Sequence, residues 1–181
     1  MVVAVLLCGS ASAEAVRYHV DEARTHAHYV IVEFGVFPQR GSFARTSGRV
    51  VLDQDAEQGE IDVLVDAASF QSGWDLRDAF ARSEPMLDAA HHPHIRFTSH
   101  HLVYRDRQPV RIEGHVNLRG VDRPMTLAVD RFDCGASGPA ACEVAMHTRL
   151  KRSDFGFARY APFLGDDVEL WFDVVMVADE K

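Results

Sequence analysis

Most features that announce a function are missing from this 181-residue sequence. No apolar run is long enough to cross a bilayer as a helix. Positive charge is in deficit: 19 Lys and Arg face 27 Asp and Glu, for a net charge of −8 and a pI near 5.6. That balance argues against nucleic acid or an anionic membrane surface as the main partner. There is no Gly-x-Ser-x-Gly elbow, no phosphate-binding glycine loop and no His-Glu-x-x-His, so the chain reads as non-catalytic. Asp166, Asp167 and Glu169 crowd together, but adjacent strand positions point to opposite faces. No linker, repeat or low-complexity segment divides the chain, which is long enough to form one domain with a sizeable core.

Cysteine is also scarce, at three residues, and no Cys-x-x-Cys spacing occurs. A redox pair or a thiolate metal site therefore lacks its usual spacing. Cys134 and Cys142 instead flank Gly135-Ala136-Ser137-Gly138-Pro139-Ala140-Ala141, the composition of a hairpin loop. Opposed residues at a hairpin base have close Cβ atoms, so a structural disulfide is expected there. Such a bond suits an oxidising compartment. An export signal is read at the N-terminus: Val2 to Leu7 is apolar, and Ala11-Ser12-Ala13 gives an Ala-x-Ala cleavage pattern before Glu14. Residues 1–13 are thus expected to be a signal peptide and 14–181 the mature domain, periplasmic or secreted. The apolar run is short and no cation precedes it, which a start site further upstream would explain. Leu7 before Cys8 is too large for lipoprotein processing.

What is present in abundance is period-two alternation. Val30, Val32, Phe34 and Val36 share one face of a strand read over His28 to Phe37. Further strands are read at Arg49 to Asp53, at Ile61, Val63 and Val65, and from Ile95 and Phe97 to about Val103. Val116 and Leu118 lead through Gly120-Val121-Asp122-Arg123-Pro124 to Met125, Leu127 and Val129, read as strand, turn, strand with Pro124 at a strand's first residue or edge. Val144, Met146, Thr148 and Leu150, then Val168, Leu170, Phe172, Val174 and Met176, complete the series. One segment breaks the period: Ser72 to Arg82 has no β-branched residue, and Leu76 and Phe80 stand four apart on one helical face. Pro85 stops it. The reading is an all-β meander with a single short helix over the barrel mouth.

Five blocks in order resemble the YceI-like family of bacterial polyisoprenoid-binding proteins. They are Gly41-Ser42-Phe43 with Ser47-Gly48, Arg77-Asp78 with Arg82-Ser83, His92-Pro93-His94-Ile95-Arg96-Phe97-Thr98-Ser99, Gly120 to Leu127, and Lys151-Arg152-Ser153-Asp154-Phe155-Gly156. The resemblance implies an extended eight-stranded antiparallel, lipocalin-like barrel whose apolar lumen holds an isoprenoid chain. Ala81 and Met86-Leu87 depart from the family's helix leucine and following aromatic pair, so ligand length need not match other members.

On that reading the candidate lumen residues are Val32, Phe34, Val36, Val63, Val65, Phe97, Ile112, Val116, Leu127, Val144, Met146, Leu170 and Phe172. Trp74, Arg77, Asp78, Phe80, Arg82 and Arg152 are the candidate lid and head-group residues. Paired arginines would suit a phosphate, whereas a quinone wants a single donor. The expected protein carries or sequesters a quinone or polyprenyl phosphate as its only bound ligand, without a catalytic cofactor, and touches membranes transiently. A fatty acid or amide is the alternative ligand, and a scaffold subunit of a membrane redox system the alternative role. His91, His92, His94, His100 and His101 cluster, but Pro93 interrupts their spacing and Asp88 is the sole nearby carboxylate, so no metal site is expected.

Overall fold

A computed structural model describes residues 15–135, 140–157, 159–160 and 163–180. The expected signal peptide and the tip of the 134–142 loop lie outside the described residues.

The chain folds as a meander in which the first strands are bent rather than ended. β1 (Val16–Val20) stops at Asp21, whose carboxylate accepts the backbone N–H groups of Ala23 and Arg24 and opens a single 3-10 turn. β2 (His26–Glu33) then resumes along the same neighbour. After a turn at Phe34-Gly35-Val36, β3 (Phe37–Phe43) and β4 (Thr46–Asp53) form a second bent strand. β5 (Gln58–Asp66) and the short β6 (Phe70–Gln71) form a third. The helix α1 (Asp75–Arg82) follows, then four long strands: β7 (His94–Arg105), β8 (Gln108–Leu118), β9 (Val121–Asp133) and β10 (Ala141–Lys151). The last strand, β11 (Leu164–Ala178), pairs with β10 on one side and with β1 and β2 on the other. Counting each bent pair once, this is a closed eight-stranded antiparallel barrel. Closure pairs most of the backbone donors of this strongly alternating sequence internally, while Val121 to Leu127 of β9 pair on the β8 side alone.

The barrel is packed at one end and open at the other. Tyr18, Leu52, Leu102, Ile112, Leu127, Val144 and Met176 close the far end, where the Cys134–Cys142 disulfide ties the β9–β10 hairpin. The near end is flanked by α1, whose Ala81 packs with Tyr29, Ile31 and Phe70. Acids in the first turn of α1 and Arg82 in the last complement the helix dipole.

Three local expectations change. First, β2 is in the opposite register: Ala27, Tyr29 and Ile31 are buried, whereas Val32, Phe34 and Val36 lie on the outside or in the turn. Both faces of this strand are apolar, so alternation alone could not choose, and a one-residue slip inverts every side chain. Second, the β8–β9 turn is Arg119-Gly120, both at positive φ, the pattern of a two-residue hairpin that follows the strand twist. Pro124 therefore sits inside β9 opposite His115, on a stretch that makes no backbone ladder with β10, since their pairing ends at Ala128 and His147. A missing N–H costs nothing along that open side. Third, α1 turns Arg77, Asp78 and Ala81 inward and leaves Leu76 72% exposed.

The lumen and its mouth as candidate ligand site

An apolar cavity of about 280 Å³ runs through the barrel interior. It is lined by Val63, Val65, Phe97, Ile112, Val116, Leu127, Val144, Met146, Leu170 and Phe172. The inward alternation of β5 and β7 to β11 places all of these on the lumen side. Val63, Phe97, Met146 and Phe172 point inward yet are only half-buried, because the space they face is empty of side chains. The interior is therefore hollow, far beyond the room one water needs. Sequence reasoning missed Tyr29, Ile31 and Glu33 on β2, and Met125 and Val129 on β9, which also line it. The β9 pair was legible from its alternation with Leu127.

The mouth lies under α1. Phe80 lines the cavity while remaining 41% exposed, and its ring meets Tyr160 edge-on at 5.2 Å. Phe34 meets Phe163 at 5.9 Å on the same rim. Trp74, Asp78 and Arg82 do not line the cavity. Trp74 is exposed and carries the Arg77 guanidinium over its ring at 5.1 Å. Asp78 is buried and accepts both the backbone N–H and the hydroxyl of Ser72, at 2.8 and 2.6 Å, which ties the loop before the helix to its first turn. Arg82 donates to the Ala68 carbonyl at 3.3 Å.

The arginine that lines the cavity most deeply has another task. Arg152 is 2% exposed. Its Nε donates to Gly165 O and its Nη2 to Leu164 O, at 2.8 and 2.9 Å. Its Nη1 donates to Phe157 O and Arg159 O, at 2.8 and 3.3 Å. One planar fork thus gathers the carbonyls of the loop that carries Phe157, Tyr160 and Phe163. Arg77 is different. It lines the cavity, makes no hydrogen bond among the described residues, and has Glu33 Oε1 3.7 Å from its Nε. Glu33 lines the cavity as well. Burial pushes the Tyr29 hydroxyl pKa well above its ordinary value, so this lumen group stays neutral.

Among the described residues, no group of three His, Cys, Asp or Glu side chains is placed to hold a metal ion. His91 is paired with Asp88 at 2.8 Å and His101 with Glu113 at 3.0 Å.

With a hollow eight-stranded barrel and a single mouth-flanking helix in view, comparison with known proteins is decisive on one point. A YceI-like domain model matches residues 18–176. The chain belongs to the YceI-like family. Among relatives, a UPF0312 protein of Azotobacter vinelandii is 27% identical over 173 residues, covering 93% of this chain and 90% of the relative. Protein YceI of Escherichia coli O157:H7 is 29% identical over 125 residues, 67% of this chain and 65% of that protein. Two solved structures share the fold. Burkholderia cenocepacia BcnA superposes with a TM-score of 0.72 at 21% identity, covering 86% of this chain and 98% of that one. A polyisoprenoid-binding domain from Saccharophagus degradans, described as implicated in plant cell wall breakdown, gives 0.69 at 16% identity, covering 91% and 99%. These YceI-like relatives share the barrel; the lumen chemistry is read from this chain's own residues.

Proposed function

We propose that this YceI-like chain is a non-catalytic carrier that holds an isoprenoid lipid in its lumen. The observation that carries the reading is the hollow, almost wholly apolar interior, open beside α1. The β7 residues that line the cavity run from Ile95 to Leu102, about 23 Å along the strand or some 18 Å along the barrel axis after a tilt of about 40°. A lumen of that length takes an extended hydrocarbon chain. Each methylene moved out of water into it gains about 0.8 kcal/mol, so a long tail binds without polar contacts. The polyisoprenoid-binding description of the Saccharophagus degradans neighbour supports an isoprenoid over other tails. The hollow interior supports a carrier over a scaffold subunit, for which a solid core would suffice.

Two further elements belong to the reading. The Cys134–Cys142 disulfide supports residence in an oxidising compartment, the periplasm or outside the cell. The rim supports loading from a lipid surface: Phe34, Val36, Phe37, Trp74, Leu76 and Phe163 are all more than half exposed around the mouth. Aromatic residues of this kind settle at membrane interfaces, and with a net charge of −8 the contact is apolar rather than electrostatic.

The test is native mass spectrometry of protein exported to a bacterial periplasm, followed by organic extraction. A discrete bound mass that fragments as an isoprenoid is the expected result. A fatty acid or amide in its place overturns the isoprenoid assignment, and a bare chain refutes the carrier.

A further inference from the structure

We infer that the seam between β9 and β10 is a second, lateral opening of the lumen, which takes the overhanging end of a hydrocarbon tail longer than the lumen. This rests on the carrier reading above and adds to it where the rest of such a tail lies. The seam stands across the barrel from α1, which packs on β2 and β6.

β9 and β10 are tied by their hairpin at the disulfide end and part before the other. Their ladder ends at Ala128 and His147, while β9 continues to Val121 against β8 and β10 to Lys151 against β11. Three features keep them apart. The ladder is already shifted between Ala145 and Met146. Leu118 and Val121 close the two-residue hairpin turn, so the main-chain groups of Asp122, Pro124 and Thr126 point toward β10. Pro124 has no donor to give there, and Thr126 O accepts the Thr148 hydroxyl at 2.8 Å instead of a backbone N–H. Beyond Lys151 the fork of Arg152 draws the chain into a 3-10 turn over Arg152–Phe155, away from the course a ladder would need.

Side chains therefore close the seam. Met125 and Leu150 line the lumen and also a cleft of about 290 Å³ on the seam, which Pro124, Thr126 and Phe155 share. Phe155 is 4% exposed and lies on the cleft side of this partition. A side chain moves aside by changing rotamer, whereas a laddered boundary opens only by breaking main-chain hydrogen bonds. The lumen wall along β7 spans about 18 Å of the axis, so a long isoprenoid fills it and has a remainder. Left in water, that remainder forfeits the burial that drives binding. Met125, Leu150 and Phe155 give it an apolar path, continuous with the lumen, where no backbone bars the way.

The experiment uses two prenols with a photoreactive diazirine at the tail end, geranylgeraniol and the longer solanesol. Each is bound to the whole protein and irradiated, and the adducts are mapped by peptide mass spectrometry. Only label displaced by excess unmodified prenol is counted. Solanesol is expected to place at least fivefold more label on residues 123–126 and 148–155 than geranylgeraniol does. Phe155→Ala should widen the opening and raise the solanesol label there about threefold, with thermal melts to confirm folding; if it does not fold, the wild-type map decides alone. Solanesol label confined to the Phe34, Phe80 and Phe163 rim, or to the disulfide end, overturns the second opening while leaving the carrier standing. A folded Phe155→Ala with an unmoved label does the same. Absence of displaceable label from both probes overturns the carrier reading itself, and this inference with it.

Discussion

Replacing Arg152 by Met removes a buried cation that touches no carboxylate within salt-bridge distance among the described residues, and the loss can be worked from its partners. The side chain is 2% exposed and supplies hydrogen bonds to the carbonyls of Phe157, Arg159, Leu164 and Gly165. Arg159 is exposed, so water replaces that bond at little cost. Phe157 is buried and Leu164 half-buried, and each carbonyl left without a donor costs about 1–3 kcal/mol. Met refills part of the volume, so the packing loss is small. The sum is about 4 kcal/mol. At roughly 2–4 °C per kcal/mol for a chain of this size, the melting temperature should fall by about 10 °C. Arg152→Lys keeps the charge but not the planar fork, and should recover no more than half of this. The assay is thermal and urea unfolding followed by circular dichroism, beside titration with geranylgeranylacetone. A drop below about 3 °C together with a large loss of ligand affinity would refute the structural role and restore Arg152 to the head-group site.

Other perturbations test the register, the staple and the buried hydroxyl. Ile31→Ser should cost about 2–4 kcal/mol, since Ile31 is buried in the lumen wall, whereas Val32→Ser on the outer face should cost under about 1 kcal/mol; paired urea titrations reveal a wrong β2 register if the order is reversed. Cys134→Ser with Cys142→Ser opens a loop with a sequence separation of 8, which chain entropy values at about 2.6 kcal/mol, so an unchanged urea midpoint would contradict the expectation. Tyr29→Phe should be near-neutral at pH 7, because the Tyr29 hydroxyl is buried without a hydrogen-bond partner among the described residues. Burial raises the pKa of Tyr18, Tyr29 and Tyr104 above the ordinary tyrosine value. Stability from these groups is complete below about pH 10 and declines as pH rises past it, when the unfolded chain ionises first. Melts between pH 8 and 11 should show that decline, and Tyr29→Phe should flatten it; an equal slope in both proteins would count against the burial of this hydroxyl.

Much of this was legible along the chain, for reasons that differ residue by residue. In β10, Val144 and Met146 alternate with Ala145 and His147, so one face could only be interior. The helix stood out because Ser72 to Arg82 lacks β-branched residues, and the disulfide because its cysteines bracket a hairpin loop. In β2 the same logic had nothing to grip, since Tyr29 and Ile31 compete with Val30 and Val32. The α1 face was misjudged for a related reason. Leu76 and Phe80 form an apolar pair, but the barrel end they face offers Glu33 and Tyr29, and the helix turns Arg77 toward that site and leaves Leu76 outside.

The sequence by itself determined the class of fold, the short helix, the disulfide and the apolar character of the wall, because each follows from local periodicity or spacing. Tertiary structure alone decided three things: that the lumen is hollow, that Arg152 is spent on a loop, and that Arg77 is left facing Glu33. Alternation says which side chains face inward, but whether they meet depends on the radius at which eight strands close. The task of an arginine likewise depends on acceptors brought to it from thirteen residues away, as Gly165 is to Arg152.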